Sequence, residues 1–293
     1  LKEADKRGAE FIATGHYARV VQNSATSSSS PRRELRVESP ELLNSSLVTC
    51  HLSLLKGIDP KKDQSYFLYV LRREELKRIL FPLGDYKKED VRKIANNLGF
   101  PSARRPESQE ICFIGDRNYF KFIDNISQFT CGPGPVMNMN GKILGEHKGI
   151  YHYTIGQRKG LGISSKEPLY VTKIDAEKNI VYVGSQEHAK TKEFEVRDLN
   201  WLIPVHSPRL SSASPDKSGR VACGDRFTVK IRSMMKPEPA VIHLSENADT
   251  VRVIFDEPQW ATAPGQSAVF YDEDAVIGGG VIEKVELNET LSG

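Results

Sequence analysis

The sequence has no run approaching the roughly 18 consecutive apolar residues of a membrane span, which excludes an integral helical membrane protein. It has few cysteines. Cys50, Cys112, Cys131 and Cys223 are too scattered for a disulfide scaffold, and without a CxxC pair there is no zinc ribbon. The patterns HExxH, GxSxG, GxGxxG and GxxxxGK[ST] are absent, so zinc-protease, α/β-hydrolase, dinucleotide and Walker readings lack support, and no metal ligands stand out. The start shows no charged n-region leading into an apolar h-region, so no signal peptide is legible.

What is present fits a globular chain. Its 293 residues suggest two or three domains, and 39% apolar with 27% charged residues allow a core and a solvated surface. The net charge of +3 hides an asymmetry. Between Lys56 and Lys159 nineteen Lys and Arg face twelve Asp and Glu, whereas from Ala240 to Gly293 two face ten. A basic middle suits a polyanionic partner; an unevenly charged, solvated surface explains the same pattern from charge alone.

Leu1 to Ala9 reads as the last turns of a helix stopped by Gly8, and Phe11 to Thr14 as a short buried strand before a Gly15-His16 turn. A helix end running into a core strand is how the middle of an α/β domain reads, and nine residues cannot supply the neighbours of a parallel strand. The expectation is that an N-terminal part is missing from the chain. Residues from about 22 to 49, with the run Ser24 to Arg33, are too polar to offset their ordering entropy and read as a disordered insertion. Asp63 to Phe100 reads as helical, broken at Phe81 to Gly84. One apolar face carries Phe67, Leu68, Val70 and Leu71; another carries Val91, Ile94, Ala95 and Leu98 and stops at Gly99. Glu110 to Ile114 reads as a short apolar strand or turn after an Arg-containing loop.

From Gly132 onward the signals are mainly β. Asn140-Gly141 is a strong hairpin signal, and Leu169 to Asp175 pairs naturally with Asn179 to Val183. Six further strands, at 194–203, 226–231, 240–244, 250–256, 267–271 and 275–285, predict a small barrel or sandwich. A Ser/Pro-rich stretch, about 206–219, reads as a second disordered insertion.

Several residues carry chemistry. Cys112 follows an Arg-containing loop, and nearby cations lower a thiol pKa toward the reactive thiolate; its apolar neighbours equally suit a buried structural cysteine. Gly15-His16-Tyr17 follows a strand, where open α/β folds bind ligands, or is an ordinary turn. Lys61-Lys62-Asp63-Gln64 offers cations to phosphates, or Asp63 is simply an N-cap. The run Tyr151 to Ile163 interleaves aromatics, cations and glycines, a mixture that suits an RNA surface and also a tight structural corner.

Taken together, Phe11 to Arg19 (FIATGHYAR), Lys62 to Leu68 (KDQSYFL), Glu107 to Gly115 (ESQEICFIG), Gly149 to Gly162 (GIYHYTIGQRKGLG) and Pro264 to Gln266 resemble the tRNA-specific 2-thiouridylases, the MnmA/TrmU family. Order and approximate spacing agree from Phe11 to about Glu283, apart from the two insertions. The resemblance implies an α/β fold: a partial PP-loop nucleotide-binding domain over residues 1–115, a small central tRNA-binding domain over 116–190 and a C-terminal β-barrel over 191–293. It implies ATP-dependent sulfur transfer to C2 of the wobble uridine, U34, of tRNA. Family members adenylate the C2 oxygen; a cysteine persulfide, a strong soft nucleophile, then delivers sulfur as AMP leaves.

Residue by residue, the resemblance assigns Cys112 to the persulfide and Gly15 to the ATP site. It assigns His16, Lys62, Asp63, Gln64, Arg232, Ser233 and Gln266 to tRNA contact. It implies ATP with Mg2+ as cofactor and a disulfide bond in the family's sulfur chemistry. The partners are tRNA and a persulfide donor protein, a cysteine desulfurase or sulfur relay, with no membrane. The mitochondrion is the expected compartment and the cytoplasm the alternative. The family's SGGxDSS loop and its other catalytic cysteine have no counterpart in the sequence. Two other readings stand beside the first: a non-catalytic RNA-binding remnant of the same family, and an unrelated Cys-dependent hydrolase. The expectation is that this chain, given ATP, a sulfur donor and tRNA, produces no retarded tRNA band on a mercury-containing gel; a clear shift would sink it.

Overall fold

The computed structural model describes residues 1–23, 51–104, 132–203, 226–245 and 249–285. The chain forms two compact units: Leu1–Ala103 with Arg197–Val251 and Ser267–Val281, and Arg104–Val196 with Arg252–Gln266 and Ile282–Gly293.

The first unit begins with the helix and strand that the sequence suggests, but the strand expected to be buried is not: Phe11 is 47% exposed and neither Ile12 nor Ala13 is buried. Helix α1 (Lys2–Lys6) ends at Gly8, whose φ of 65° allows the Ala9 amide to donate back to the Ala4 carbonyl at 2.9 Å. Strand β1 (Ile12–Ala13) follows, then β2 (Ala18–Asn23), β3 (His51–Lys56), the one-turn helices α2 (Ser65–Leu68) and α3 (Arg73–Leu76), β4 (Ile79–Leu80) and α4 (Lys88–Asn97). The parallel neighbour that β1 requires is β4, with Ile12 opposite Ile79.

Two further sequence expectations are corrected. Ile79 and Leu80 lie in a strand inside a stretch that reads as helical, because a two-residue strand is shorter than any periodicity window. The buried face of α2 is Tyr66, Leu68 and Tyr69, while Phe67 and Val70 are 57% and 59% exposed. The tyrosines are buried because their hydroxyls find partners: Tyr66 donates to the Ser267 carbonyl, and the Tyr69 hydroxyl lies 3.1 Å from Ser267 Oγ.

Strands β2 and β3 form an antiparallel hairpin from Ala18 opposite Lys56 to Asn23 opposite His51. Gln22 and Asn23, expected in the first insertion, therefore belong to β2; the rest of that insertion and all of the second lie outside the described residues. The hairpin, α2 and α3 share one core with the barrel strands of the same unit. Ala18, Leu54, Tyr66, Leu68 and Tyr69 pack with Val269, Tyr271 and Val276. Gly84 sits so close to β2 that a Cβ there would overlap the Ala18 carbonyl.

In the second unit, β5 (Gly134–Asn138), β6 (Ile143–His147), β7 (Tyr170–Asp175) and β8 (Ile180–Gly184) form a sheet of order β6-β5-β8-β7. Only the central β5–β8 pair is parallel. The Asn140-Gly141 hairpin is where the sequence places it, with Gly141 at φ 78°. Val136, Leu161, Val171, Val181 and Val183 make the core. His147 is 1% exposed and satisfied on both ring nitrogens. Nδ1 accepts from the Gly149 amide, so Nε2 carries the proton and donates to the Asn179 carbonyl at 3.0 Å.

The remaining strands are β9 (Lys190–Trp201), β10 (Arg226–Lys230), β11 (Glu238–Leu244), β12 (Val251–Trp260), β13 (Ser267–Asp272) and β14 (Ala275–Val285). They run in the order β13-β10-β11-β12-β9-β14, and pairing of β13 with β14 closes a six-stranded barrel, as expected. Beyond β14 the sheet continues into β3 and β2, through Ala275 opposite Leu55.

Helix α4 has no side-chain cap of its own. Asp59, distant in sequence, accepts from the Lys88 amide in the first turn with Oδ2 and from the Lys61 amide with Oδ1, both at 3.0 Å. These bonds hold the Asp59 carboxyl below the usual carboxylate range, with the Lys88 amide the largest cause. Because the folded pKa is depressed, this stabilisation is present above the unfolded value and lost as pH falls through the folded one. Asp59→Ala should lower stability by about 1 kcal/mol in denaturant titrations at neutral pH. The deficit should vanish at acid pH, where the wild-type carboxyl is protonated; an undiminished deficit there contradicts the assignment.

Candidate nucleic-acid interface

Gly15 and His16 leave the carboxyl end of β1, after the Thr14 amide donates to the Leu80 carbonyl of β4 at 3.0 Å. This is the edge of a parallel sheet at which α/β folds place ligands. His16 Nδ1 lies 2.9 Å from Thr14 Oγ1, and its ring stands edge-on to Phe81 with centroids 6.2 Å apart. Gly15 is exposed, and a Cβ there would meet nothing nearer than Leu83 Cδ1 at 3.8 Å. Packing does not dictate glycine at this position, and the backbone there is open to solvent.

Tyr17 and Gln64 join that turn to the next. The Gln64 amide donates to the Tyr17 carbonyl at 2.9 Å, and Gln64 Oε1 accepts from the Tyr17 amide at 3.0 Å. Asp63 is equally turned inward. Its Oδ1 accepts from the Gly57 and Ser65 amides at 3.1 and 3.0 Å, and its Oδ2 from Ser65 Oγ at 3.0 Å. Asp63 therefore makes an Asx-type turn one residue before the N-cap, which is Gln64. Of the tripeptide, Asp63 and Gln64 shape the turn, and the half-buried Lys62 is the member with a charge to offer an anion.

The same turn rests on the barrel. Ser65 Oγ lies 3.2 Å from the Tyr271 hydroxyl, and Tyr66 also donates to the Ile231 carbonyl at 3.3 Å. Burial pushes the Tyr66 hydroxyl up to about 12 and raises that of Tyr271 as well, so both are neutral donors at physiological pH. Arg232 and Ser233 follow β10 in a turn closed by the Met235 amide on the Arg232 carbonyl at 3.1 Å. Both are partly exposed, with Met234 beyond them 93% exposed. Gly15, His16, Lys62, Asp63, Gln64, Arg232 and Ser233 thus belong to the first unit. Gln266 belongs to the second, where its carbonyl accepts from the Ile282 amide at 2.8 Å. Cys112 lies outside the described residues.

The second unit adds a cationic loop. Gly156 has φ 87° and backs onto Trp260 and Ala261, where a Cβ would collide. Its amide donates to the Val171 carbonyl, and the Val171 amide donates to the Gln157 carbonyl. The Gln157 side chain spans the turn, accepting from the Thr154 amide and donating to the Lys159 carbonyl at 3.0 and 2.9 Å. Arg158 and Lys159 are left exposed on this braced loop. Among the described residues no group of three or more His, Cys, Asp or Glu could hold a metal ion, and no helix is long and apolar enough to cross a membrane.

An α/β segment, a four-stranded sheet and a closed six-stranded barrel define a multidomain class of protein that joins an α/β domain to a β-barrel. The family models described as the tRNA methyl transferase HUP domain, PRC-barrel domain and aminomethyltransferase beta-barrel domain match residues 1–116, 121–185 and 191–282. Among curated relatives, tRNA-specific 2-thiouridylase MnmA 2 of Thermoanaerobacter sp. (strain X514) is 44% identical over 284 residues, 97% of this chain and 68% of that protein. Those of Syntrophotalea carbinolica and Acetivibrio thermocellus are 40% and 41% identical over 96% and 97% of this chain and 68% of each relative. The chain belongs to the tRNA-specific 2-thiouridylase family.

The inward bonds of Asp63 and Gln64 set an expectation for mutants. Asp63→Ala orphans two backbone amides and should destabilise the fold by about 1–3 kcal/mol. Lys62→Ala should leave stability within about 0.5 kcal/mol and weaken tRNA binding instead. Paired denaturation and affinity measurements separate the two; a Lys62→Ala variant that melts like Asp63→Ala refutes the division of roles.

Proposed function

We propose that this chain carries the tRNA-holding and persulfide-bearing part of a tRNA 2-thiouridylase, with Cys112 bearing the sulfur destined for C2 of U34. The carrying observation is that three successive domains match this enzyme family in order along nearly the whole chain. ATP, when bound, supplies the adenylyl group that turns the C2 oxygen of uridine into a leaving group. Gly15 presents an open backbone to that nucleotide, and no Mg2+ site is assigned to the described residues.

The remaining roles are positional. His16, anchored by Thr14, stands beside the Gly15 backbone. Lys62 precedes a turn fixed by Asp63 and Gln64, Arg232 follows β10, and both meet phosphates electrostatically. Gln266 supplies amide hydrogen-bonding capacity to RNA. Arg158 and Lys159 face solvent on a loop that its own hydrogen bonds stiffen, so ordering it on RNA loses little entropy. The sulfur comes from a donor protein, a cysteine desulfurase or relay; once the persulfide's outer sulfur is bonded to C2, a second thiol attacks the Cys112 sulfur, breaking the S–S bond, so that 2-thiouridine is released and the two thiol sulfurs are left as a disulfide.

Two measurements test this. After incubation with a cysteine desulfurase and free cysteine, the peptide bearing Cys112 should gain one sulfur by mass, and Cys112→Ser should abolish the gain; an unmodified wild-type peptide counts against the persulfide role. The full chain should bind tRNA with a steep salt dependence, and the double variant Arg158→Ala, Lys159→Ala should reduce the slope of log K against log salt by about 2. An unchanged slope removes this loop from the interface.

A further inference from the structure

Lys230 ends β10 with 8% of its surface exposed, one residue before the carbonyl that Tyr66 binds. Its ammonium stands over the Tyr66 ring, 5.7 Å from the centroid. Among the described residues it makes no hydrogen bond and no ion pair. The carboxylate whose field reaches it is Asp63, and both Asp63 oxygens already accept from Gly57 and Ser65. The neighbouring cation, Lys56, is held otherwise: Nζ donates to the Glu273 carbonyl at 2.6 Å, lies 3.9 Å from Asp274 and sits over the Tyr271 ring. Burial disfavours the charged form of Lys230.

An ammonium that folding takes largely out of water without giving it a protein acceptor is an expensive group to keep. A hydrocarbon residue would pack the same stem against Tyr66 at lower cost. The Lys230 nitrogen is not among the atoms sealed from solvent without a partner, so it keeps a contact with solvent. Arg232 lies two residues on, and its charge interacts with the Tyr66 hydroxyl.

We infer that Lys230, backed by Tyr66 and flanked by Arg232, is a preformed receptor for a backbone phosphodiester of the bound tRNA. The site supplies the acceptor-poor cation and the phosphate supplies the missing acceptor oxygen. Tyr66 holds the stem in place through its ring while its hydroxyl is committed to Ser267 and Ile231. The inference rests on the tRNA-binding reading above and adds a residue to it.

The test compares the full chain with Lys230→Met and Lys230→Arg by tRNA binding across a salt series and by thermal unfolding without RNA. Lys230→Met should weaken tRNA binding about tenfold at low salt and reduce the salt slope by about 0.9, the loss of one phosphate contact. Without RNA it should unfold at the same temperature or higher. Lys230→Arg should retain most of the slope. If Lys230→Met keeps the wild-type slope, or if it unfolds well below wild type, the lysine is structural and the inference is overturned. If it weakens binding of ATP but not of tRNA, the receptor serves a nucleotide phosphate and the assignment to RNA is overturned. If the wild-type chain binds no tRNA, the functional reading fails, and this inference with it; a wild-type chain that binds while Lys230→Met is indistinguishable from it sinks the inference alone.

Discussion

The two-way hydrogen bond between Tyr17 and Gln64 is the constraint on which the first unit depends. It couples the exit of a two-residue strand to a turn beginning more than forty residues later. Neither segment could hold its shape alone: β1 has a single described neighbour, and α2 is one turn long. A helix that short has almost no intrinsic stability. Its order comes from Asp63, Gln64 and the tyrosines, which replace missing helical hydrogen bonds with bonds to other segments. The Asn200 side chain extends the same arrangement, donating to the Tyr69 and Leu71 carbonyls where α2 ends. The result is a polar seam in which the candidate RNA-contacting side chains stand on a framework of satisfied backbone groups.

Much of the fold was legible in the sequence, for a physical reason. Barrel strands bury alternate residues, so Phe194 and Val196, or Phe227 and Val229, announce themselves by period. The turn glycines are visible in the same way, as Gly8, Gly99 and Gly141 all take positive φ. What escaped was short or interrupted. β4 is two residues long, and β2 and β3 are separated by a polar stretch that hides their pairing. The face of α2 was misread because tyrosine was not counted as core, though Tyr66 and Tyr69 are 7% and 6% exposed.

The candidate site was legible at the level of motif but not of role. Gly15, His16 and Lys62 to Gln64 stand out by resemblance, yet only the geometry separates the inward-turned Asp63 and Gln64 from Lys62. Lys230 carried no signal. In β10 the inward alternation runs Phe227, Val229 and Ile231, which leaves Lys230 on the face that in a lone barrel would meet water. That face is covered by Tyr66, from a segment more than 160 residues earlier, and no local pattern encodes such coverage.

The hairpin of β2 and β3 has a consequence of a different kind. Its last paired residues, Asn23 and His51, stand opposite one another, so the backbone ends of the intervening stretch are fixed by the sheet whatever lies between them. Closing a longer loop adds only a logarithmic entropy term, about 0.6 kcal/mol for each doubling in length. Lengthening, shortening or rewriting that stretch therefore carries little thermodynamic penalty, and an engineer could graft a foreign module there without touching the turns at Gly15 and Asp63.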